Sequence, residues 1–215
     1  MATNTQTHDK PRRGYFVAED LEEVAASEGD LAGGLRDCSI IAAVNDPATF
    51  DAALSSPPRA LYLLTGNPLT LPTMLAKARE KGKMCLLNMD FLDGLARDRF
   101  AVEFLAAHGA SGIVSTRFET LKAAQTLGLF TVQRTFAIDS AAVNAARKSL
   151  NQFHPDAVEV LPAIAAPKVV KRLLSEFPQV TVIGGGLIDS VKEIEGLLSS
   201  GVHAVTVSDP RLWII

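Results

Sequence analysis

The chain has 215 residues, 47% of them hydrophobic and 21% charged, which is enough apolar material for one substantial core. Its net charge of -3 and pI near 5.8 give no global basic field for nucleic acid. No apolar run approaches the roughly 18–20 residues that span a bilayer, and Cys38 and Cys85, without a Cys-x-x-Cys pair, suggest neither a disulfide framework nor a zinc site. The first 13 residues are polar and lack the apolar core of a signal peptide, so a cytoplasmic protein is expected.

Residues 1–36 read as an extension outside the main fold. Residues 1–13 have the composition of a disordered leader, residues 19–26 suit a short acidic helix, and Gly29, Gly33 and Gly34 then break the pattern. From Cys38 a strict alternation begins, and residues 37–215 are expected to form a single domain. Strands are predicted at 38–44, 60–65, 84–90, 112–117, 130–135, 157–161, 180–184 and 204–208, short and rich in Val, Ile and Leu. Helices are predicted between them at 47–54, 68–81, 97–108, 118–127, 139–152, 167–177 and 190–200. Asp46-Pro47, Asn67-Pro68, Asp139-Ser140 and Asp189-Ser190 mark helix starts. Gly82, Gly109, Gly128 and Gly201 mark helix ends.

Eight strands alternating with seven helices predict an α/β fold, an incomplete (β/α)8 barrel of the TIM type. A doubly wound open sheet is the competing arrangement. The barrel lacks a full last helix because only Asp209–Ile215 follow the eighth strand, and Trp213, Ile214 and Ile215 are expected to cover part of the groove left behind.

Polar residues recur near the carboxyl ends of the strands, where barrel ligands sit. Asn88 and Asp90 share a face of the third strand, Ser115 and Arg117 a face of the fourth, and Gln133 and Arg134 occupy opposite faces of the fifth. Glu159 lies on the sixth, and Thr206 and Ser208 on the eighth. Arg117 and Glu159 are costly to bury unless paired, so an arginine–carboxylate arrangement among Arg117, Arg134, Asp90 and Glu159 is expected. Gly184, Gly185 and Gly186 close the seventh strand just before a helix start. With Ser208 beside them, their backbone N–H groups form a candidate phosphate site. No Gly-x-Gly-x-x-Gly or Walker loop follows the first strand, so no dinucleotide or nucleoside triphosphate is implied.

Catalytic equipment is sparse. No lysine occupies a strand end: Lys83 starts the third strand and Lys168 lies beyond the sixth. His108, His154 and His203 fall at strand entries, and His8 lies in the leader. Asp90 and Glu159 are the remaining acid/base pair, so binding is favoured over turnover and no catalytic residue, metal or cofactor is assigned.

The chain also resembles the glycerol-3-phosphate responsive antiterminator family, also called glycerol uptake operon antiterminators. The matching stretches are Asn88–Gly94, Gly112–Arg117, Val132–Phe136, Val158–Ile164, Gly184–Ile188, Val205–Ser208 and Leu212-Trp213, in the same order over about residues 38–213. The resemblance implies an incomplete β/α barrel that senses glycerol 3-phosphate and binds leader mRNA of glycerol-utilisation genes, preventing early termination of transcription. It carries over Asp90, Ser115, Arg117, Gln133, Arg134, Glu159, Gly184, Gly185, Gly186 and Ser208 as ligand-binding residues. Asn88 and Asn45 depart from the family pattern and are not carried over. For the RNA, Lys77, Arg79 and Lys81 with Lys83 form one candidate basic cluster, and Lys168, Lys171 and Arg172 a second. No aromatic-rich RNA-recognition motif is present. The alternative function is a β/α-barrel enzyme acting on a small phosphorylated metabolite. The sequence leaves the oligomeric state open, homo-oligomers included.

Overall fold

The structure, a computed structural model, describes residues 39–214. The expectations for the leader, the acidic helix, the domain boundary at residue 36 and Cys38 fall outside the described residues. Eight parallel strands form a closed ring: β1 Ile40–Val44, β2 Ala60–Leu63, β3 Met84–Asn88, β4 Gly112–Ser115, β5 Phe130–Phe136, β6 Ala157–Leu161, β7 Thr181–Gly185 and β8 Ala204–Val207. β8 pairs with β1, Thr206 opposite Ile41, so the sheet has no free edge and the open doubly wound arrangement is excluded.

Seven helices surround the ring among the described residues: α1 Phe50–Ser55, α2 Leu71–Glu80, α3 Arg99–Ala107, α4 Phe118–Thr126, α5 Ser140–Gln152, α6 Ala166–Glu176 and α7 Val191–Ser199. Their starts follow local chemistry. Asp139 accepts a hydrogen bond from Ala142 N at 2.7 Å, and Ser190 accepts one from Glu193 N at 3.4 Å. The Glu193 carboxylate reaches back to Asp189 N and the Ser190 hydroxyl, a reciprocal cap. The expected start at Pro68 is displaced. Asn67 Oδ1 accepts from the N–H groups of Leu69 and Thr70, which closes a separate turn, and α2 begins only at Leu71 with Pro72 in its first turn. Gly82, Gly109, Gly128 and Gly201 all take positive φ just beyond helix ends, as the sequence predicts.

Strand alternation sorts the core into two layers. Ile41, Ala43, Tyr62, Leu86, Val114, Val132 and Ile183 pack with their neighbours inside the ring. Alternate residues such as Leu61, Leu87, Ile113, Val158 and Val205 face outward against the helices. This double burial makes the strands near-continuous apolar runs.

Beyond β8 a short 3-10 turn, Pro210–Leu212, stands where an eighth helix would lie. Trp213 is 1% exposed, packs in the outer core, and donates its indole N–H to Val207 O at 2.7 Å. Trp213→Phe keeps most of the packing but orphans that carbonyl, so a loss of about 1–2 kcal/mol is expected in a urea melt. An unchanged midpoint would remove the hydrogen bond from this account.

Candidate functional site

A cleft of about 480 Å3 opens at the carboxyl ends of the strands. Its floor is built from inward-facing residues of β2, β5, β6 and β8: Tyr62, Arg134, Glu159 and Thr206. Asn45, Leu64 and Ser208, just beyond β1, β2 and β8, and Leu161 at the end of β6 form the rim, and Gly186-Leu187-Ile188-Asp189 forms one wall.

The charged centre of the floor is the Arg134–Glu159 pair, set face to face by the register of β5 on β6. Arg134 Nε donates to Glu159 Oε2 at 2.7 Å, and the two side chains are 6% and 0% exposed. The Thr206 hydroxyl donates to Glu159 Oε1 at 2.8 Å. Each carboxylate oxygen therefore has a donor, which is what makes the buried charge tolerable. The Arg134 guanidinium also stacks 5.5 Å from the Phe91 ring centroid. The ion pair uses only its Nε–H, so its terminal N–H donors remain beside the cleft. Tyr62 is fully buried, and its hydroxyl is pushed well above the ordinary phenol range by burial, with the Glu159 charge adding and Arg134 opposing.

The seventh-strand glycines separate into three roles. Gly184 faces the helix layer, where a Cβ would meet Val202, Ala163 and Ala166 at 3.6–3.7 Å. Gly185 faces the lumen, where a Cβ would lie 2.5 Å from Thr206 Oγ1 and 2.6 Å from Glu159 Oε1. Its lack of a side chain is required by the close approach of this buried network. Gly186 and the next residue, Leu187, take φ of 78° and 60° and turn the backbone over the mouth of the cleft. Of the three glycines, Gly186 lines the cleft.

Asp90, Ser115 and Arg117 form a separate cluster on the rim. Val114 is the inward residue of β4, so Ser115 faces away from the lumen. Its hydroxyl donates to Asp90 Oδ1 at 3.1 Å and accepts from Arg117 N at 3.0 Å. Asp90 Oδ2 accepts from Thr116 N at 2.7 Å, and Arg97 Nη2 donates to Asp90 O at 2.7 Å. Asp90 thus ties the end of β3 to the end of β4. The Arg117 side chain is exposed and absent from the cleft lining. The arginine–carboxylate arrangement expected among Arg117, Arg134, Asp90 and Glu159 is met by Arg134 with Glu159, while Asp90 has Arg97 as its partner and Arg117 stays outside. Gln133 lies on the outer face of β5, where Ser149 Oγ donates to its Oε1 at 3.3 Å. The structure therefore brings Arg134, Glu159, Gly185, Gly186 and Ser208 together and leaves Gln133, Gly184 and Arg117 outside.

The polar cleft residues Asn45, Tyr62, Asp189 and Thr206 are not among the ligand-binding residues expected from the sequence. Asn45, set aside there, lines the rim. Tyr62 carries no motif, and its signal was its place two residues after the inward Ala60. Asn88 is inward and fully buried, with its Oδ1 accepting from Asp90 N at 3.0 Å. No lysine, histidine or cysteine occurs among the cleft-lining residues. The lining carries one cation, Arg134, against the carboxylates of Glu159 and Asp189, so an anion there would rely on backbone N–H groups and the arginine. Among the described residues no cluster of His, Cys, Asp and Glu could hold a metal ion. Nor is any described helix long and apolar enough to cross a membrane.

The candidate RNA residues lie at different heights. Helices that follow parallel strands run back toward the opposite end of the barrel. Lys77, Arg79 and Lys81, at the end of α2, are therefore at the far end from the cleft, and Lys77 pairs with Asp51 at 3.8 Å. Lys168 and Arg172, in the first turns of α6, line a groove on the cleft side together with Ile138 and Ile164.

The family model for the glycerol-3-phosphate responsive antiterminator matches residues 40–213. The chain belongs to this antiterminator family. It is 31% identical over 182 residues to the uncharacterized protein YgcP of Escherichia coli (strain K12), covering 84% of this chain and 94% of that one. A crystal structure of a glycerol uptake operon antiterminator-related protein from Thermotoga maritima MSB8 is 32% identical with a TM-score of 0.74, covering 82% and 98% of the two chains. The glycerol uptake operon antiterminator regulatory protein of Listeria monocytogenes str. 4b F2365 is 31% identical with a TM-score of 0.76, covering 81% and 94%. Aldolase barrels at 10–16% identity share the fold alone.

Proposed function

We propose that this antiterminator-family chain binds glycerol 3-phosphate in the cleft and, when loaded, binds leader mRNA of glycerol-utilisation genes in the cytoplasm. The observation that carries the ligand assignment is the buried Arg134–Glu159 pair at the floor of a cleft on the barrel's carboxyl end. Glu159 offers acceptors for hydroxyl groups. The Arg134 terminal N–H groups, the backbone around Gly186 and Leu187, and Ser208 offer donors for a phosphate. A lining without lysine or histidine suits binding rather than turnover.

The ligand acts on RNA affinity only through contacts that differ between two states of the protein. The wall Gly186–Asp189 and the rim loops carrying Phe91 and Asp90 are the parts that a ligand in the cleft would touch or order. Lys168 and Arg172 are nearer to these loops than Lys77, Arg79 and Lys81, so the α6 cluster is the favoured RNA contact.

Calorimetry and a leader-RNA titration test this together. Glycerol 3-phosphate should bind at least about tenfold more tightly than glycerol, because only the phosphate recruits charge-assisted donors. RNA should bind more tightly with glycerol 3-phosphate present, and the coupling must be reciprocal. Replacing Lys168 and Arg172 by alanine should weaken RNA binding and flatten its salt slope by about 0.7 per lost phosphate contact. Equal binding of glycerol and glycerol 3-phosphate would remove the phosphate from the picture. RNA affinity independent of ligand at every salt concentration would reject antitermination as the output, and weakening confined to a Lys77, Arg79 and Lys81 triple variant would move the RNA to the other end.

A further inference from the structure

Among the described residues three buried side-chain polar atoms have no hydrogen-bond partner, the Tyr62 hydroxyl, Asn88 Nδ2 and the Thr181 hydroxyl, and of these three residues only Tyr62 lines the cleft. Tyr62 is 0% exposed yet contributes to the lining of the cleft. A phenylalanine would fill the same apolar space in the inner core, among Ala43, Leu86 and Ile41. A buried hydroxyl that nothing in the protein engages is therefore a cost to folding alone. Its use must lie in what it faces.

It faces the same floor as Glu159. That carboxylate accepts one hydrogen bond at each oxygen, from Thr206 Oγ1 and Arg134 Nε, and each oxygen has a second lone pair. The floor thus presents a donor, the Tyr62 O–H, beside an acceptor-only carboxylate. Burial and the Glu159 charge keep the phenol protonated, so it is a donor throughout the physiological pH range. An alcohol both donates and accepts. Two adjacent alcohols can satisfy the pair together, one accepting from Tyr62 and the other donating to Glu159. A ketone in the place that faces Glu159 has no proton to donate, and a carboxylate there is repelled.

We propose that the Tyr62 hydroxyl and Glu159 form a vicinal-diol reader at the cleft floor, which makes Tyr62 a specificity-determining residue for the ligand. This deepens the glycerol 3-phosphate reading and rests on it. The cleft then selects phosphorylated polyols with neighbouring hydroxyls over mono-alcohols and over analogues that turn a ketone or a carboxylate toward Glu159.

The experiment titrates the full chain and its Tyr62→Phe variant with glycerol 3-phosphate, 2-hydroxypropyl phosphate and 3-hydroxypropyl phosphate, the last two each lacking one hydroxyl. The wild type should bind glycerol 3-phosphate about 3- to 10-fold more tightly than either analogue. Tyr62→Phe should lose about 3- to 10-fold for glycerol 3-phosphate and for one analogue, and leave unchanged the analogue that lacks the hydroxyl Tyr62 touches. Its thermal midpoint without ligand should equal or exceed that of the wild type, since an unpartnered buried hydroxyl has gone, and this separates lost recognition from lost folding. Equal affinity of variant and wild type for glycerol 3-phosphate overturns the proposal, as does an equal loss across all three ligands. A wild type that binds none of the three overturns the ligand reading itself, and the diol reader falls with it.

Discussion

Glu159→Ala will be among the most destabilising single substitutions in this barrel, at about 3–5 kcal/mol, because it strips the partner from a buried arginine. Arg134 is only 6% exposed at its side chain, and its ionic partner among the described residues is Glu159 at 2.7 Å. Thr206 loses its acceptor at the same time. The cost belongs to the stranded charge more than to the pair itself. A double variant, Arg134→Met with Glu159→Leu, should therefore recover most of the loss, since apolar replacement of a buried pair is often neutral. Ligand affinity should not recover in the double variant, which has neither the carboxylate nor the guanidinium. Urea unfolding with a common m-value gives the stabilities, and calorimetry with glycerol 3-phosphate gives the affinities. A cost below about 1 kcal/mol for Glu159→Ala would mean that water reaches the guanidinium and the floor is not a dry ion pair.

Gly185→Ala and Gly184→Ala should differ sharply although the two glycines are neighbours. At 185 the new methyl would stand 2.5 Å from Thr206 Oγ1 and 2.6 Å from Glu159 Oε1. Those two atoms are bonded to each other at 2.8 Å, and Glu159 is also held by Arg134, so neither can retreat without breaking the network. Overpacking of this kind costs about 1–3 kcal/mol or more, and the ligand should lose its place on the floor as well. At 184 the methyl meets Val202, Ala163 and Ala166 at 3.6–3.7 Å, ordinary contact. Its effect should stay under about 1 kcal/mol, with ligand affinity unchanged. Neither position has positive φ, so backbone strain does not blur the comparison. Equal losses at both sites would refute the assignment of one glycine to the lumen and the other to the helix layer.

The comparison of these glycines shows where sequence reasoning stops. Read as a run, Gly184-Gly185-Gly186 suggests a backbone approach to an anion. In the folded chain one packs against helices, one makes room for Glu159, and only Gly186 turns the mouth of the cleft. Asp90 and Ser115 likewise read as pocket residues by their place at strand ends, yet they bond to each other on the rim.

The sequence by itself determined the order and type of the elements. Parallel strands covered on both faces must be apolar throughout, and helix caps such as Asp139 and Ser190 act within a few residues, so both signals are local. It also showed that Gln133 and Arg134 oppose each other, because strand side chains alternate. Which of them enters the lumen was decided only by closure of the ring. Closure set β5 against β6 with Arg134 opposite Glu159, and it placed Tyr62 of β2 on the same floor from another part of the sequence. A shift of one residue in register exchanges the two faces of a strand, and that register is a property of the neighbouring strand, not of the strand's own residues.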